Sequence, residues 1–307
     1  MKIILSGGLG NQLFQLAAAY SLSNGSEVIL ENKLGSTTSN PNIELELEKF
    51  ILPDKVQIPT CRDIYWLEKK LSNYFFLTSS QFLVETFVSK RVLSIAKKLM
   101  SLLFQNGKEV QICQGVGYDD GLTPTDSVLF GYFQTYKWLE DSDTREMFQG
   151  LRLKESPDWL IELEQKAAID LPLILHMRRG DYVKENTFGI PSKDYYEGAV
   201  RSLWKTERFN KIWIFSDEPT AVKEILPDWI LANSRIIVDG LDSPASTIQA
   251  MRLGKGYVLS NSTFGWWGAK LSYNQDAAVI VPKPWFKIKE EPRLLIPKQW
   301  VRQSGWD

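Results

Sequence analysis

The chain has few of the residues that build metal centres and disulfide networks. Its 307 residues include two cysteines and one histidine. Cys61 and Cys113 have no CxxC spacing, so we expect free thiols in a reducing compartment rather than a disulfide framework. Two separated cysteines and one histidine cannot supply the ligands of a zinc site.

The chain also has no excess of charge of either sign and no long apolar runs. Lys and Arg number 36 against 37 Asp and Glu, which argues against nucleic acid as the main partner. No apolar run approaches the roughly 18 residues of a membrane-spanning helix, and the apolar residues 1–5 are too few for a signal peptide. We therefore expect a cytoplasmic protein, and the length indicates about two domains.

Short apolar runs alternate with amphipathic segments in the second half of the chain, which predicts an α/β domain with a parallel, doubly wound sheet. The predicted strands are 171–176, 211–215, 235–238, 257–260 and 277–281, and predicted helices begin near Ser192, Pro219, Pro244 and Thr263. The first half predicts strands 2–5, 27–30 and 128–133, a helix over 11–22 and a mostly helical stretch over 58–106. We expect one domain over 1–155 with a helical insertion, a second over 156–285, and a segment over 286–307 that could pack back on the first.

The only histidine and a pair of arginines follow the apolar run 171–175 directly, as His176, Arg178 and Arg179. Two permanent cations and an ionisable ring at the end of a buried strand are costly unless an anion lies opposite. The pattern predicts a diphosphate-binding pair. The alternatives are a surface arginine pair and a hydrogen-bonded structural histidine.

Two further polar clusters, residues 216–218 and 261–263, follow other predicted strands. In open α/β sheets ligands bind beyond the carboxyl ends of the strands, so we expect all three clusters to converge. Arginines suit phosphate oxygens, Asp217 and Glu218 suit donor groups of a base or ribose, and hydroxyls at a helix N-terminus suit another phosphate. This predicts a nucleotide site without a Walker loop, although Asp217 and Glu218 before Pro219 also fit an ordinary helix start.

A glycine turn over residues 6–12 lies between the first predicted strand and helix. Its backbone N–H groups and the helix dipole can face an anion. It is not a dinucleotide fingerprint, because Leu13 stands where the third glycine would be. We expect this turn to face the second domain and form half of a cleft.

Five segments match a known family in chain order: GGLGNQLFQ (7–15), GYFQTYK (131–137), HMRRGDY (176–182), FSDEP (215–219) and SNSTFGWWGA (260–269). Through them the chain resembles the bacterial α-1,2-fucosyltransferase family and, more distantly, the α-1,6- and protein O-fucosyltransferases. The resemblance implies a GT-B fold, in which two Rossmann-like domains face each other across a cleft, with GDP-fucose held mainly by the second domain.

The implied reaction is inverting transfer of L-fucose from GDP-β-L-fucose to the 2-hydroxyl of a terminal β-galactoside, with no metal ion and no other cofactor. The implied acceptor is an O-antigen or other surface glycan, free or lipid-linked. Two alternatives stay open. One is a transferase with a different GDP-sugar or linkage, and the other is a non-catalytic nucleotide-sugar-binding protein.

The resemblance also implies a role for each matching residue. His176 and one of Asp217 or Glu218 would contact the guanine, and Arg178 and Arg179 would hold the diphosphate and replace a metal in stabilising the leaving group. The other implied donor-binding residues are Gly8, Gly10 and Asn11 from the first domain and Ser262, Thr263 and Phe264 from the second. Asp181, close to the arginines in sequence, is a candidate general base or an orienting partner of Arg178.

Three weaker patterns have competing interpretations. The D-x-D pattern at Asp141 and Asp143 is typical of metal-dependent glycosyltransferases, but a helix start is favoured. Trp266 and Trp267 are favoured as core rather than as a sugar platform. A basic amphipathic helix over 88–103 is favoured as a helix packed on the first domain, and the alternative is peripheral contact with anionic lipid.

Overall fold

A computed structural model describes residues 1–31, 45–59, 109–113, 115–183, 188–206, 208–240 and 243–306. Cys61, the basic helix over 88–103 and nearly all of the helical stretch over 58–106 lie outside the described residues. The chain forms two compact units, Met1–Leu151 with Pro292–Ile296 and Arg152–Glu291 with Pro297–Asp307.

The first unit contains a parallel sheet. Its strands are β1 (Lys2–Ile4), β2 (Val28–Glu31), β4 (Val56–Gln57), β5 (Glu109–Ile112) and β6 (Ser127–Phe130), and the short β3 (Phe50–Ile51) lies outside this sheet. The order is β4-β2-β1-β6-β5. Lys2 pairs with Ile29 on one side and with Val128 on the other, so β1 is an inner strand. An inner strand of a parallel sheet is covered on both faces, which explains the continuous apolar run after Lys2.

Helix α1 (Leu9–Leu22) follows β1 through the predicted glycine turn. Gly7 has φ +76°, and a Cβ there would lie 2.5 Å from Asn11 Nδ2, so the turn requires glycine. Gln15 of α1 ties the turn to the sheet, because its Oε1 accepts from Ser6 N (3.0 Å) and its Nε2 donates to Gly131 O (2.9 Å). The unit also contains helix α2 (Ser142–Gly150) and 3₁₀ helices at Glu46–Lys49 and Tyr136–Glu140.

The second unit contains a parallel sheet in the order β10-β9-β8-β11-β12-β13. Its strands are β8 (Leu173–Met177), β9 (Ile212–Ser216), β10 (Ser234–Ile236), β11 (Gly256–Leu259), β12 (Ala278–Lys283) and β13 (Val301–Ser304), and β7 (Arg152–Leu153) precedes them. The helices are α3 (Asp158–Asp170), α4 (Lys193–Thr206), α5 (Pro219–Ile225), α6 (Asp228–Ala232), α7 (Pro244–Met251) and α8 (Thr263–Lys270). Alternation of strand and helix here confirms the predicted doubly wound sheet.

Strand β8 is buried on both faces and delivers the predicted site residues to the carboxyl edge of the sheet. Leu173, Leu175 and Met177 join the apolar cluster that contains α4 side chains. His176 points to the opposite face, where a Cβ on Gly265 of α8 would lie 2.6 Å from its Nδ1. The residues that follow Met177 therefore leave a fixed strand at a defined place.

The two units, each with its own parallel sheet, confirm the predicted α/β fold class with two Rossmann-like domains. The cleft between domains stays a prediction. Within the predicted last segment, 286–307, Pro292–Ile296 belong to the first unit, whereas β13 pairs with β12 in the second. None of the helices in the described ranges is both long enough and apolar enough to cross a membrane.

Candidate functional site

The residues at the carboxyl ends of β8, β9 and β11 contact one another. The three strands lie side by side, with β8 between the other two. Ser260 Oγ lies 3.0 Å from His176 Nδ1, and the Arg179 N–H donates to Asp217 Oδ1 at 2.9 Å. The structure therefore brings the three predicted polar clusters of the second unit to one edge of its sheet.

The two carboxylates after β9 pair with the two arginines after β8. Arg178 Nη1 lies 3.1 Å from Asp217 Oδ2, and Arg179 Nε donates to Glu218 Oε2 at 3.0 Å. Asp217 also accepts the Arg179 N–H, so one carboxylate holds both arginines. All four side chains are partly exposed, and such pairs stabilise a fold by about 1 kcal/mol or less. Their main effect is to orient the guanidinium groups.

This pairing gives Asp217 and Glu218 a function that the sequence did not indicate. The resemblance assigned one of them to guanine, and here both contact arginines. A guanidinium group carries five N–H donors in a planar fork, so one ion pair does not exhaust its capacity for phosphate oxygens. The predicted contacts with guanine and diphosphate stay predictions.

Gly180 makes room for the bridging carboxylate. A Cβ at this position would lie 2.5 Å from Asp217 Oδ2, closer than real contacts allow. We expect Gly180→Ala to displace Asp217 and, through it, both arginines. A misplacement of about 1 Å costs on the order of 10²-fold in turnover, so we expect a loss of that size, measured as initial rate of sugar transfer.

Gly150→Ala is the matched control for Gly180→Ala. A Cβ on Gly150, the last residue of α2, meets nothing within 4 Å. Turnover of this control should equal that of the wild type. An unchanged rate in Gly180→Ala would show that the Asp217 bridge does not set the arginine geometry.

His176 is 5% exposed and belongs to the edge of this cluster. Burial, and next the positive charge of Arg178, lower the pKa of the imidazole to about 3. The ring is therefore neutral at physiological pH. Its centroid lies 5.8 Å from that of Phe264, which the resemblance also assigned to the donor site.

The N-terminus of α8 holds the third cluster. Ser262 is the N-cap, and its Oγ accepts from Phe264 N at 3.3 Å. Asn261 Nδ2 donates to Phe188 O (3.0 Å) and Gly189 O (3.2 Å), which fixes the chain that leads into α4 against the end of β11. Thr263 is partly buried beside them. The predicted phosphate contacts of Ser262 and Thr263 stay predictions.

Gly8, Gly10 and Asn11 lie in the first unit. Gly8 is the N-cap of α1, with no side chain to cap the helix, and Gly10 is buried within its first turn. Asn11 Oδ1 accepts from Gln134 Nε2 at 3.0 Å. Two of the five matching segments, 7–15 and 131–137, therefore contact each other, and the predicted approach of these residues to the donor stays a prediction.

The predicted role of Asp181 stays a prediction. Asp181 lies in the 3₁₀ turn Gly180–Val183, and its side chain is outside what the structure describes.

Asp141 caps α2 and accepts from Thr144 N at 2.8 Å, so the helix-start interpretation of the D-x-D pattern is confirmed. Trp266 and Trp267 are both 0% exposed, which confirms the core interpretation. Within the described ranges, no group of three or more His, Cys, Asp or Glu side chains is placed to hold a metal ion.

Ser260 is the residue of this edge that sequence reasoning missed. Its Oγ contacts His176 and also accepts the Arg178 N–H at 3.1 Å. The one signal in the sequence is its position directly after the β11 run, the same position that drew attention to the arginines.

Comparison with known proteins points to sugar transfer. The family model described as Glycosyl transferase family 11 matches residues 167–303. The chain is 27% identical to the O-antigen biosynthesis glycosyltransferase WbnK of Escherichia coli, over 98% of this chain and 99% of that protein. It is 25% identical to an alpha-1,2-colitosyltransferase of Escherichia coli, over 97% of each.

Among solved structures, the fucosyltransferase NodZ from Bradyrhizobium is similar with a TM-score of 0.46 and 10% identity, over 88% of this chain and 93% of that chain. The matched family residues include the whole strand edge described above, from His176 to Phe264. The resemblance expected from the motifs is confirmed, and the chain is a glycosyltransferase similar to glycosyl transferase family 11.

Proposed function

We propose that the protein transfers L-fucose from GDP-β-L-fucose to the 2-hydroxyl of a terminal β-galactoside, with inversion at the fucose carbon. The observation that carries this proposal is the arginine pair at the carboxyl edge of the second sheet, oriented by Asp217 and Glu218. Guanidinium groups fixed in advance suit the oxygens of a diphosphate. The two relatives support an O-antigen acceptor and a 1,2 linkage.

The arginines act on the leaving group. As the bond between fucose and phosphate lengthens, the sugar ring gains oxocarbenium character and negative charge grows on GDP. Donors that are already oriented stabilise that charge without reorganising during the reaction. In this proposal Arg178 and Arg179 supply the positive field, and no metal ion or other cofactor takes part.

The acceptor hydroxyl must lose a proton as the new bond forms. A carboxylate within hydrogen-bond reach can take that proton late in the reaction. We propose Asp181 for this role, because Asp217 already pairs with Arg178 and an orienting partner for that arginine is therefore present. Binding residues of the first unit, Gly8, Gly10 and Asn11, belong to the same proposal.

A second candidate donor is GDP-colitose. The similarity to an alpha-1,2-colitosyltransferase favours it, at nearly the same identity as the other relative. Colitose is L-fucose without its 3-hydroxyl group, so the arginine pair would bind the diphosphate of either donor in the same way. The two donors must therefore be separated by experiment.

A panel of donors and acceptors tests the proposal. The purified protein is incubated with GDP-fucose, GDP-colitose or GDP-mannose and with β- or α-galactosides, and GDP release and product linkage are measured. We expect α-1,2-linked product with GDP-fucose and a β-galactoside, at the same rate with and without EDTA. Loss of activity with EDTA and recovery with Mn²⁺ would contradict the arginine mechanism. GDP binding without transfer or hydrolysis would identify a non-catalytic nucleotide-sugar-binding protein.

The proposal assigns the reaction to the cytoplasm, and to the inner face of the cytoplasmic membrane where the glycan acceptor is lipid-linked. Co-sedimentation with vesicles that contain anionic lipid tests the second part.

A further inference from the structure

One buried hydroxyl group contacts two residues of the candidate donor site. Ser260 is 0% exposed and follows β11 directly. Its Oγ lies 3.0 Å from His176 Nδ1, and it accepts the Arg178 backbone N–H at 3.1 Å. Neither the motifs nor the comparisons assign this residue a role.

The direction of these hydrogen bonds follows from the Arg178 N–H. A backbone N–H only donates, so it occupies a lone pair of Ser260 Oγ. The hydroxyl proton then needs an acceptor, and among the described residues the group within reach is His176 Nδ1. A nitrogen that accepts carries no proton, so the neutral ring holds its proton on Nε2.

The surroundings of the ring favour this arrangement. Gly265 lets the ring approach α8, because a Cβ there would lie 2.6 Å from Nδ1. The charged group that acts on the ring is Arg178, which follows β8 directly, whereas Ser260 after β11 and Phe264 on α8 are uncharged. Among the described residues, His176 Nε2 makes no hydrogen bond. It is also not one of the fully buried atoms that lack a partner, so it is open to a partner from outside these residues.

We propose that Ser260 is a positioning residue that holds His176 as the Nε2–H tautomer and makes the ring a hydrogen-bond donor toward the nucleotide. The part that concerns the nucleotide rests on the proposed function. A ring in this state donates to an acceptor atom, such as a purine carbonyl oxygen or ring nitrogen, and rejects an N–H group at the same place. Ser260 Oγ also accepts the Arg178 N–H and so fixes the backbone from which the Arg178 guanidinium group extends.

The wild-type protein gives the first test. Because the chain has one histidine, ¹⁵N-histidine labelling yields a single pair of imidazole nitrogen signals with no assignment step. We expect Nδ1 unprotonated and Nε2 protonated in long-range ¹H–¹⁵N spectra, without titration from about pH 5 to 8. A proton on Nδ1, a mixture of tautomers, or titration near the usual pKa of about 6.5 would overturn the proposal.

Ser260→Ala gives the second test, with Ser272→Ala as the matched control. Ser272 is buried, accepts from Asn274 N (3.1 Å) and donates to Gly254 O (3.2 Å), so the control removes the same kind of hydroxyl elsewhere in the unit. We expect Ser260→Ala to produce mixed tautomers and to weaken GDP binding about tenfold by calorimetry. We expect Ser272→Ala to change neither.

The measurements separate this proposal from the proposed function. If the protein transfers sugar from none of the donors, the tautomer of His176 and the affinity for GDP still test the positioning role of Ser260. Retention of the Nε2–H tautomer and of wild-type GDP affinity in Ser260→Ala would reject the positioning role. If that variant does not fold, the wild-type spectra decide.

Discussion

Replacement of Arg178 by alanine is expected to lower turnover about 10²- to 10³-fold in a protein that still folds. The guanidinium group is partly exposed at the edge of the sheet, so we expect the fold to tolerate its removal. Its loss removes an oriented donor for the charge that grows on GDP. Initial rates with saturating GDP-fucose and a β-galactoside measure the effect, and circular dichroism checks the fold.

Two further variants make this experiment specific. Arg201→Ala removes an arginine that pairs with Glu197 on α4 at 2.6 Å, away from the strand edge, and should keep wild-type turnover. Arg178→Lys keeps the charge but loses the planar fork, so its rate should lie between those of the wild type and Arg178→Ala. Wild-type turnover in Arg178→Ala would remove the arginine mechanism.

Trp266→Ala is expected to lower the free energy of unfolding by about 3–5 kcal/mol. The side chain is 0% exposed, and its ring packs edge-on against Trp267 at 5.0 Å and near Trp300 at 5.5 Å. Truncation leaves a cavity between α8 and the last strand that the neighbouring rings cannot fill. Urea denaturation followed by circular dichroism measures the loss.

Ile169→Ala is the surface control for Trp266→Ala. Ile169 on α3 is 72% exposed, so its truncation should change stability by no more than about 0.5 kcal/mol. An equally small loss in Trp266→Ala, together with weaker acceptor binding, would instead favour the sugar-platform interpretation.

The inner strands of the second sheet could be predicted because they are continuous apolar runs. The predicted strands 171–176 and 211–215 correspond to β8 and β9, and the helices near Pro219, Pro244 and Thr263 begin at those residues. Strand β13 was not predicted. Its sequence Val-Arg-Gln-Ser has one apolar residue and forms an edge strand with mostly exposed side chains, so no apolar pattern marks it.

At the site, residue types could be predicted but contacts could not. Arg178, Arg179 and Asp217 stand out because charged groups follow buried strands. Their mutual pairing depends on β9 lying next to β8, which is a matter of strand order and not of local sequence. The position of Ser260 after a strand is a weak signal, since a serine there is common and its partners lie 84 and 82 residues away in the chain.

The pairing of each arginine with a carboxylate also bears on how a nucleotide reaches the site. These two cations and two anions sum to no net charge, so the four side chains together exert little long-range attraction on an approaching diphosphate. Binding of the nucleotide then depends on the short-range fit between the guanidinium N–H groups and the phosphate oxygens. Added electrolyte, which weakens attraction between distant charges, should change the association rate of the nucleotide only slightly.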